Sequence, residues 1–480
     1  MKFETIIGLE VHAQLLTNSK IFAGDANAFG AEPNTQISAI TLALPGTLPR
    51  LNLRAVELAV RMGLACGSEI SRHQIFDRKN YFYPDLPKGY QITQDRTPIC
   101  RGGNIPIQLK SGETRQIKLN RIHLEEDAGK SIHPEGNENT VLDFNRAGTP
   151  LIELVTEPVL RSAEEAGALL AEIRKLVRYL EVCDGNMEEG SLRCDANVSV
   201  RLKGAVALGK KVEVKNMNSI RNVQRAIEVE AARQIQILES WGSIVSETRL
   251  YDAGTNTTRS MRAKEELNDY RYFPDPDLAP LVLSEAWLDN IRAAMPALPA
   301  HVMSHLMTRY ALPEYDARVL ADDRDVAGYF QSMCEHTMHF KAASNWVMGP
   351  VKSYLNENDV EITHFPVAPA QLAALINLVE SGKVSYTAAS QKMFPAMIRQ
   401  PDADPARLAS ELNLQQDSSA DSIGPLVDQV VREFPLKVEE YHKGKKAILT
   451  MFMGEVMKRS KGKADPRLAQ ELILERLRKS

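Results

Sequence analysis

Ionisable side chains alternate with apolar ones in the stretch from Met187 to Arg201. The odd positions hold Glu189, Ser191, Arg193, Asp195, Asn197, Ser199 and Arg201, and the even positions from Leu192 to Val200 are all apolar. Strict alternation predicts a strand with one face on a hydrophobic core. An ordinary solvated face is the plain alternative. The row of two carboxylates, two guanidinium groups and an amide favours the floor of a polar site.

Other segments repeat this arrangement of polar residues. They are Ile6–Leu15 with Glu10, His12 and Gln14, Arg121–Lys130 with Glu125, Glu126 and Asp127, and Lys211–Lys215 with Lys211, Glu213 and Lys215. Half-buried strands with polar outer faces are typical of antiparallel sheets. We therefore predict an α+β fold with an antiparallel sheet that is apolar below and lined with ion-binding groups above. Such a sheet would form a cradle for a charged ligand.

The acidic residues of this cradle are candidate metal ligands. Sites with several carboxylates and one imidazole suit Mg²⁺ or Mn²⁺ on nucleotide phosphates better than they suit zinc. The predicted ligands are Glu10, His12, Glu125, Glu126, Glu189 and Asp195. The predicted catalytic residues are Glu10, His12, Glu125, Glu126, Arg193 and Asp195.

Basic and aromatic residues are candidates for binding phosphate and substrate. Arg offers a planar fork to phosphate oxygens and Lys offers a point charge. The segment Asn80–Tyr90 has four aromatic residues and two prolines, and it is either a structural loop or the lining of a ligand channel. The predicted set is Lys79, Asn80, Tyr81, Tyr83, Lys88, Arg146, Ser191 and Lys215.

One segment comes close to a phosphate-binding P-loop. Gly204–Lys211 has the glycine and lysine spacing but lacks the metal-binding Ser or Thr, and it joins two predicted strands where a P-loop would open a helix. We interpret it as a connection between strands, so a nucleotide would need another kind of site.

The composition is that of an ordinary globular protein of 480 residues, with 44% hydrophobic and 25% charged residues. Five scattered cysteines with no Cys-x-x-Cys fit a reducing cytoplasm, and neither a signal peptide nor a membrane span is predicted. The formal net charge is −4, so nucleic-acid binding would require a local basic patch.

The pattern of elements divides the chain into three predicted domains. Residues 1–293 are strand-rich and would form the cradle, residues 294–405 are helical, and residues 406–480 follow a polar, Pro-bearing linker. Residues 441–480 hold 11 Lys/Arg against 4 Asp/Glu, whereas residues 401–440 hold 3 against 9. Charge runs are usually solvated faces, but this reversal within a small domain favours contact with a polyanion. The proposed tRNA-binding residues are Lys443, Lys445, Lys446, Lys458, Arg459, Lys461 and Lys463.

Seven segments of the chain resemble the B subunit of the tRNA-dependent amidotransferases. They are Ile7–Gln14, Lys79–Asp85, Leu124–Lys130, Asn145–Glu153, Met187–Asn197, Asp269–Pro274 and Gly454–Pro466. The match runs almost from end to end, and motifs this long are specific.

The resemblance implies both a fold and a reaction. The cradle would be related to the catalytic fold of glutamine synthetase, and the tail would meet tRNA. ATP would phosphorylate the side-chain carboxylate of Glu or Asp misacylated onto tRNA(Gln) or tRNA(Asn), and ammonia would then displace the phosphate. An amidase-type A subunit would release the ammonia from glutamine, and a small C subunit would complete a cytoplasmic heterotrimer.

The chain departs from the family pattern at one place. Many members bind zinc there through four cysteines, but the matching positions hold Ala23, Asp25, Ser38 and Thr41. We therefore predict no structural zinc and expect the packing of small residues to replace it.

Two other functions stay open at this point. A glutamine synthetase-like ligase for a small molecule would explain the cradle and leave the basic tail without a role. A non-enzymatic RNA-binding protein would explain the tail and leave the acidic strand faces without one.

Overall fold

The computed structural model describes residues 2–134, 139–263, 270–416, 419–460 and 463–479. Its contacts divide the chain into two compact units, Met1–Leu298 and Pro299–Ser480. The finer division into three domains stays a prediction. Two residues named above, Asp269 and Lys461, lie outside the described residues.

The first unit contains seventeen strands and four helices among the described residues. The strands are β1 (Phe3–Gln14), β2 (Glu69–Ile70), β3 (His73–Gln74), β4 (Asp77–Asn80), β5 (Tyr90–Thr93), β6 (Cys100–Arg101), β7 (Asn104–Gln108), β8 (Thr114–Glu126), β9 (Lys130–Ile132), β10 (Val141–Asp143), β11 (Pro150–Thr156), β12 (Leu192–Leu202), β13 (Val212–Lys215), β14 (Glu247–Asp252), β15 (Thr257–Ala263), β16 (Phe273–Pro274) and β17 (Leu281–Val282). The helices are α1 (Leu53–Ala65), α2 (Ala163–Tyr179), α3 (Ile220–Glu239) and α4 (Glu285–Ala293).

A ten-stranded sheet forms the centre of this unit. Its strand order is β15-β14-β13-β12-β1-β11-β8-β6-β2, and β7 also pairs with β8. The predicted α+β class is confirmed, but the prediction of an antiparallel sheet is wrong for one pair, because β13 and β14 run parallel. The 20 residues of α3 lie between them, and a helical crossover of this kind lets the chain return in the same direction.

The apolar face of the sheet is covered by helices whose ends follow local rules. Ser162 accepts a hydrogen bond from the backbone of Glu165 at the start of α2, and Ser219 accepts one from Asn222 at the start of α3. Buried residues of α1, α2 and α3 join those of β1, β11 and β12 in one hydrophobic core. The polar residues of the same strands are left on the opposite face.

The P-loop-like segment lies outside any helix, as predicted. It connects β12 to β13, which pair antiparallel from Ala196 to Val198. The interpretation as a connection between strands is confirmed.

The second unit is helical in all its described elements. They are α5 (Pro299–Tyr310), α6 (Glu314–Leu320), α7 (Arg324–Met333), α8 (Phe340–Trp346), a π-helical turn (Val347–Val351), α9 (Lys352–Asn358), a 3₁₀ turn (Ile362–His364), α10 (Pro369–Glu380), α11 (Tyr386–Ala388), a second π-helical turn (Ala389–Met393), α12 (Phe394–Arg399), α13 (Pro405–Glu411), α14 (Ala420–Glu433), α15 (Pro435–His442), α16 (Ile448–Arg459) and α17 (Pro466–Lys479).

Two hydrophobic clusters hold the second unit together. One extends from Leu306 to Ala409 and the other from Ile423 to Leu477. The helical segment that begins with α8 and ends with α9 is interrupted by the first π-helical turn, which contains Pro350. Proline lacks an amide hydrogen, so a regular helical ladder cannot continue through it. Among the described residues, we find no helix with the length and apolar character needed to span a membrane.

Candidate functional site

Four neighbouring strands bring ionisable residues into register on the polar face of the large sheet. His12 on β1 lies opposite Arg193 on β12 and Glu153 on β11, and Glu153 in turn lies opposite His123 on β8. Two residues earlier on β1, Glu10 lies opposite Asp195. Residues in register on one face stand about 5 Å apart, so their side chains meet.

The first acidic group consists of His12, Glu125 and Glu153. One ligand atom from each of these three residues lies within 4.8 Å of the others. His12 Nε2 is 3.5 Å from Glu153 Oε2 and 3.7 Å from Glu125 Oε1. His123 adds a second imidazole, with its Nε2 3.3 Å from Glu153 Oε2. The group therefore offers carboxylate oxygens and imidazole nitrogen toward one point.

The second acidic group consists of Glu10, Asp195 and Glu213, whose carboxylate oxygens also lie within 4.8 Å of one another. Lys215 Nζ is 3.2 Å from Glu213 Oε1 and also pairs with Asp195. Glu10 Oε1 accepts a hydrogen bond of 2.9 Å from the amide of Asn197. A divalent cation with a preference for oxygen ligands fits this group by its donor atoms.

Burial and mutual repulsion shift the pKa values on this face. Burial, together with the carboxylates of Glu153 and Glu213, raises the pKa of Glu10 above its ordinary value. Burial opposes the charge of His123, but Glu153 and Glu125 outweigh it and raise the pKa of His123 to about 9. Burial also opposes ionisation of Glu153, yet His123 and His12 hold the pKa of Glu153 well below its usual range. The carboxylates of this face therefore stabilise positive charge beside them, as the raised pKa of His123 shows.

Lys79 extends the basic side of the site. Its Nζ lies 5.0 Å from the ring centre of Tyr270 and 5.9 Å from that of Tyr81. Burial opposes its charge, but the carboxylate of Glu125 raises the pKa of Lys79. Lys79 therefore carries a fixed positive charge beside the first acidic group.

Asp127 connects the polar face to the residues around it. Its Oδ2 accepts 2.8 Å from Gln14 Nε2, lies 2.9 Å from Arg193 Nη2, and lies 3.8 Å from Arg146 Nε. Arg146 also donates to the carbonyl oxygens of Ala128 and Gly129. One buried carboxylate thus orients two guanidinium groups and an amide. Asp127 belongs to the acidic run Glu125–Asp127 but is not among the predicted site residues.

Several predicted site residues lie outside the two acidic groups. Glu126 is paired with Lys88 at 2.5 Å and accepts 2.9 Å from the backbone amide of Ile92. Asn80 donates to the carbonyl oxygens of Tyr270 and Arg271. Tyr83 is 48% exposed. Glu189 and Ser191 line a separate cleft beside the sheet.

Three residues on the acidic face, His123, Glu153 and Glu213, are not among the site residues predicted from the sequence. Glu153 interrupts the apolar run Pro150–Val155, and a charged residue in such a run is a detectable signal. His123 stands two residues before Glu125 on the same alternating strand. Glu213 stands between Lys211 and Lys215, and only Lys215 is among the predicted site residues. Glu153 lies opposite His12, a predicted site residue, whereas His123 lies opposite Glu153 and Glu213 lies opposite Asn197.

The segment that resembles a zinc-binding loop is joined by hydrogen bonds. Asp25 Oδ2 accepts 2.9 Å from Ser38 Oγ and also accepts from Thr41 Oγ1. Three of the four positions therefore contact one another through a carboxylate and two hydroxyls. The sequence predicts that the packing of small residues replaces the zinc, and the structure adds hydrogen bonds to Asp25 at these positions.

The basic residues of the tail are largely exposed and partly paired with acids. Lys445 lies 3.3 Å from Glu440, and Arg459 lies 2.6 Å from Glu433. Lys443 and Lys463 have partners in Glu439 and Asn413. Exposed pairs of this kind contribute about 0–1 kcal/mol each, so an external polyanion can replace them.

Fold and site together define an enzyme-like cradle, with two groups on the polar face of a mixed sheet whose side chains could hold a cation. Residues 5–289 match the family model described as "GatB/GatE catalytic domain", and residues 328–477 match "GatB domain". Two similar proteins are each named as the B subunit of an aspartyl/glutamyl-tRNA(Asn/Gln) amidotransferase. Those of Alkalilimnicola ehrlichii and Thioalkalivibrio sulfidiphilus are each 48% identical over 478 residues, covering 99% of this chain and 100% of each relative. The chain therefore belongs to the family of amidotransferase B subunits, and the resemblance found in the sequence is confirmed.

Proposed function

We propose that this chain is the subunit of an amidotransferase complex that converts misacylated Glu-tRNA(Gln), Asp-tRNA(Asn) or both into Gln-tRNA(Gln) and Asn-tRNA(Asn). It is a carbon–nitrogen ligase that uses ATP, with glutamine as the amide donor. ATP transfers its γ-phosphoryl group to the side-chain carboxylate of the aminoacyl group and leaves as ADP. Ammonia then forms the C–N bond as the C–O bond to phosphate breaks and releases inorganic phosphate.

The single observation that carries this proposal is the pair of acidic groups held in register on one sheet face. Mg²⁺ held by His12, Glu125 and Glu153, and by Glu10, Asp195 and Glu213, would neutralise charge that builds up on phosphate oxygens. Catalysis of phosphoryl transfer rests mainly on positioning and electrostatic stabilisation. A rigid sheet supplies both, because its strands fix the spacing of the ligands.

Basic residues of this chain complete the phosphate environment. Lys79 interacts electrostatically with Glu125 of the first group. Lys215 forms an ion pair with Glu213 of the second group and so neutralises part of its charge. Arg193 lies in register with His12, and Asp127 holds its guanidinium group in place. We assign these three residues to the phosphate oxygens. The relation of the cradle to the glutamine synthetase catalytic fold is part of the same proposal, and the polar floor of the sheet supports it.

The ammonia comes from a glutaminase partner, the amidase-type A subunit, which a small C subunit joins in a heterotrimer. The cysteines support this division of labour, because all five are buried. Burial raises the pKa of Cys66, Cys183 and Cys334 to about 12 each. The thiolate is the nucleophile in cysteine chemistry, so these thiols are unsuited to attack glutamine.

The basic tail contributes contacts to tRNA phosphates. The residues proposed for this role are Lys443, Lys445, Lys446, Lys458, Arg459, Lys461 and Lys463. The division into a cradle, a helical domain and a tail remains part of the proposal. Phosphate contacts supply affinity and orientation rather than sequence readout. A reaction of protein synthesis also keeps the cytoplasm as the expected location.

The decisive experiment measures ATP turnover by the reconstituted heterotrimer with ammonium as the nitrogen source. Misacylated tRNA should be required for ADP release, and correctly charged or uncharged tRNA should not replace it. Turnover with free glutamate and no tRNA would instead support the small-molecule ligase. Binding of tRNA without any ATP turnover would support the RNA-binding protein.

A further inference from the structure

The cleft beside the polar face has no role in the function proposed so far. It has a volume of about 480 Å³ and shares Gln14 with the end of β1, two residues beyond His12. It is therefore continuous with the row that contains the first acidic group. Gln14 and His12 stand about 7 Å apart along the strand at about 3.3 Å per residue, so a ligand that extends past Gln14 approaches that group.

The cleft combines groups of both charges with an exposed aromatic ring. Its lining includes the acids Asp143, Asp184 and Glu189 and the bases Lys130 and Arg146. Phe29, also in the lining, is 75% exposed. A purely anionic ligand such as ATP would meet repulsion from the carboxylates. A ligand with an ammonium group, a phosphodiester and a base matches the whole set. The ammonium group would meet a carboxylate, the phosphodiester would meet the basic residues, and the base would stack on the ring of Phe29.

The charged groups differ in how firmly they are held. Arg146 is fixed by the carbonyl oxygens of Ala128 and Gly129, at 2.9 and 2.6 Å. The Asp184 carboxylate already accepts hydrogen bonds from Ser191 and from the backbone of Asn186. The Asp143 carboxylate likewise accepts from the backbone amides of Asn34 and Asn145. In the part of the chain that the structure describes, we find no hydrogen bond or ion pair from the Glu189 carboxylate, whose backbone amide is anchored on Asn186 Oδ1 at 3.2 Å. Glu189 is thus the acid best placed to receive a ligand cation.

We propose that this cleft binds the aminoacyl-adenosine end of the charged tRNA, with Glu189 receiving the α-ammonium group. Arg146 and Lys130 face the terminal phosphodiester, and Phe29 offers a stacking surface to the adenine. The side-chain carboxylate of the aminoacyl group then extends past Gln14 toward His12, Glu125 and Glu153. This inference rests on the proposed function, and it gives Glu189 the role of a substrate contact where the sequence suggested a metal ligand.

The experiment compares two neighbouring acids in the reconstituted heterotrimer. Glu189→Gln removes the charge inside the cleft, and Glu188→Gln is the matched control, because Glu188 is also exposed and is anchored on the same Asn186 oxygen but does not line the cleft. The substrates are Glu-tRNA(Gln) and the same tRNA with its α-amino group acetylated. Hydrogen bonds to charged groups are worth about 1.5–3 kcal/mol, so the KM for Glu-tRNA(Gln) should rise about 10- to 100-fold in Glu189→Gln.

The expected pattern separates this inference from its rivals. Wild type and Glu188→Gln should favour the free α-amino group over the acetylated one, and Glu189→Gln should lose that preference while keeping its KM for ATP. A raised KM for ATP with an unchanged KM for charged tRNA would overturn the inference in favour of a nucleotide site. An unchanged preference in Glu189→Gln would also overturn it. Absence of tRNA-dependent turnover in the wild type would instead count against the proposed function itself.

Discussion

The substitution Asp195→Asn tests the second acidic group most directly. Asp195 lies opposite Glu10 and shares Lys215 with Glu213. The amide keeps the shape of the side chain but removes the charge that would face a bound divalent cation. Two unit charges 4 Å apart interact by about 4 kcal/mol at an effective dielectric constant of 20. A loss of that size in the transition state lowers the rate about 1,000-fold.

The same substitution should hardly change stability. Lys215 keeps its second partner, Glu213, at 3.2 Å, so its ammonium group is not left alone. Removing one of three clustered carboxylates also relieves repulsion, which already raises the pKa of Glu10. We expect a change in the free energy of unfolding of no more than about 1 kcal/mol, since the lost pair is partly compensated.

The assay measures ADP release in the presence of misacylated tRNA, together with the melting temperature of each variant. Glu4→Gln is the matched control, because Glu4 lies six residues before Glu10 on the same strand and pairs with Arg201 at 2.7 Å. At about 3.3 Å per residue it is roughly 20 Å away from Glu10. It should keep normal activity. Normal activity in Asp195→Asn, or unfolding of that variant, would refute the assignment of the second group.

Three further predictions concern other parts of the molecule. Burial lowers the pKa of Lys20 from 10.5 to about 8. The unfolded chain therefore binds more protons than the folded chain between these two pH values. The free energy of unfolding should rise with pH across this window by up to about 3 kcal/mol, and Lys20→Met should flatten that rise in melting curves. The purified chain alone should not hydrolyse glutamine, and glutamate release without the A and C partners would contradict the division of labour. Deletion of residues 419–480 should raise the KM for charged tRNA and flatten the salt dependence of binding. The slope of log binding constant against log salt concentration should lose about −0.7 to −0.9 for each phosphate contact removed. Unchanged KM and slope would assign tRNA recognition to the rest of the chain.

The boundary of that deletion follows from packing rather than from the linker. The sequence suggested a cut after residue 405, at the end of a Pro-bearing segment. Leu408 and Ala409 of α13 belong to the cluster that extends from Leu306 to Ala409. A cut before them would open that core and lower stability, so a loss of tRNA binding could not be assigned to the basic residues.

Periodicity predicted the strands that carry the site but assigned some side chains to the wrong place. The alternation in Ile6–Leu15 and in Leu192–Arg201 matches β1 and β12 closely. Glu125 and Glu126 are consecutive on β8, and consecutive side chains of a strand point to opposite faces. Because Glu125 lies on the polar face, the side chain of Glu126 points to the opposite face, where it is paired with Lys88. Glu189 precedes Leu192, the first residue of β12, so the alternation of side chains along that strand does not apply to Glu189.

Glu153 illustrates what periodicity cannot supply. It lies on β11, where all residues from Pro150 to Leu154 are buried, so the strand shows no polar face in its sequence. Its position in the site depends on the register with His12 on one side and His123 on the other. Register arises from pairing between separate segments of the chain, and a one-residue slip would turn Glu153 to the opposite face. The first acidic group is therefore a property of the assembled sheet, and a change in register at β11 should disrupt it even when every ligand residue is retained.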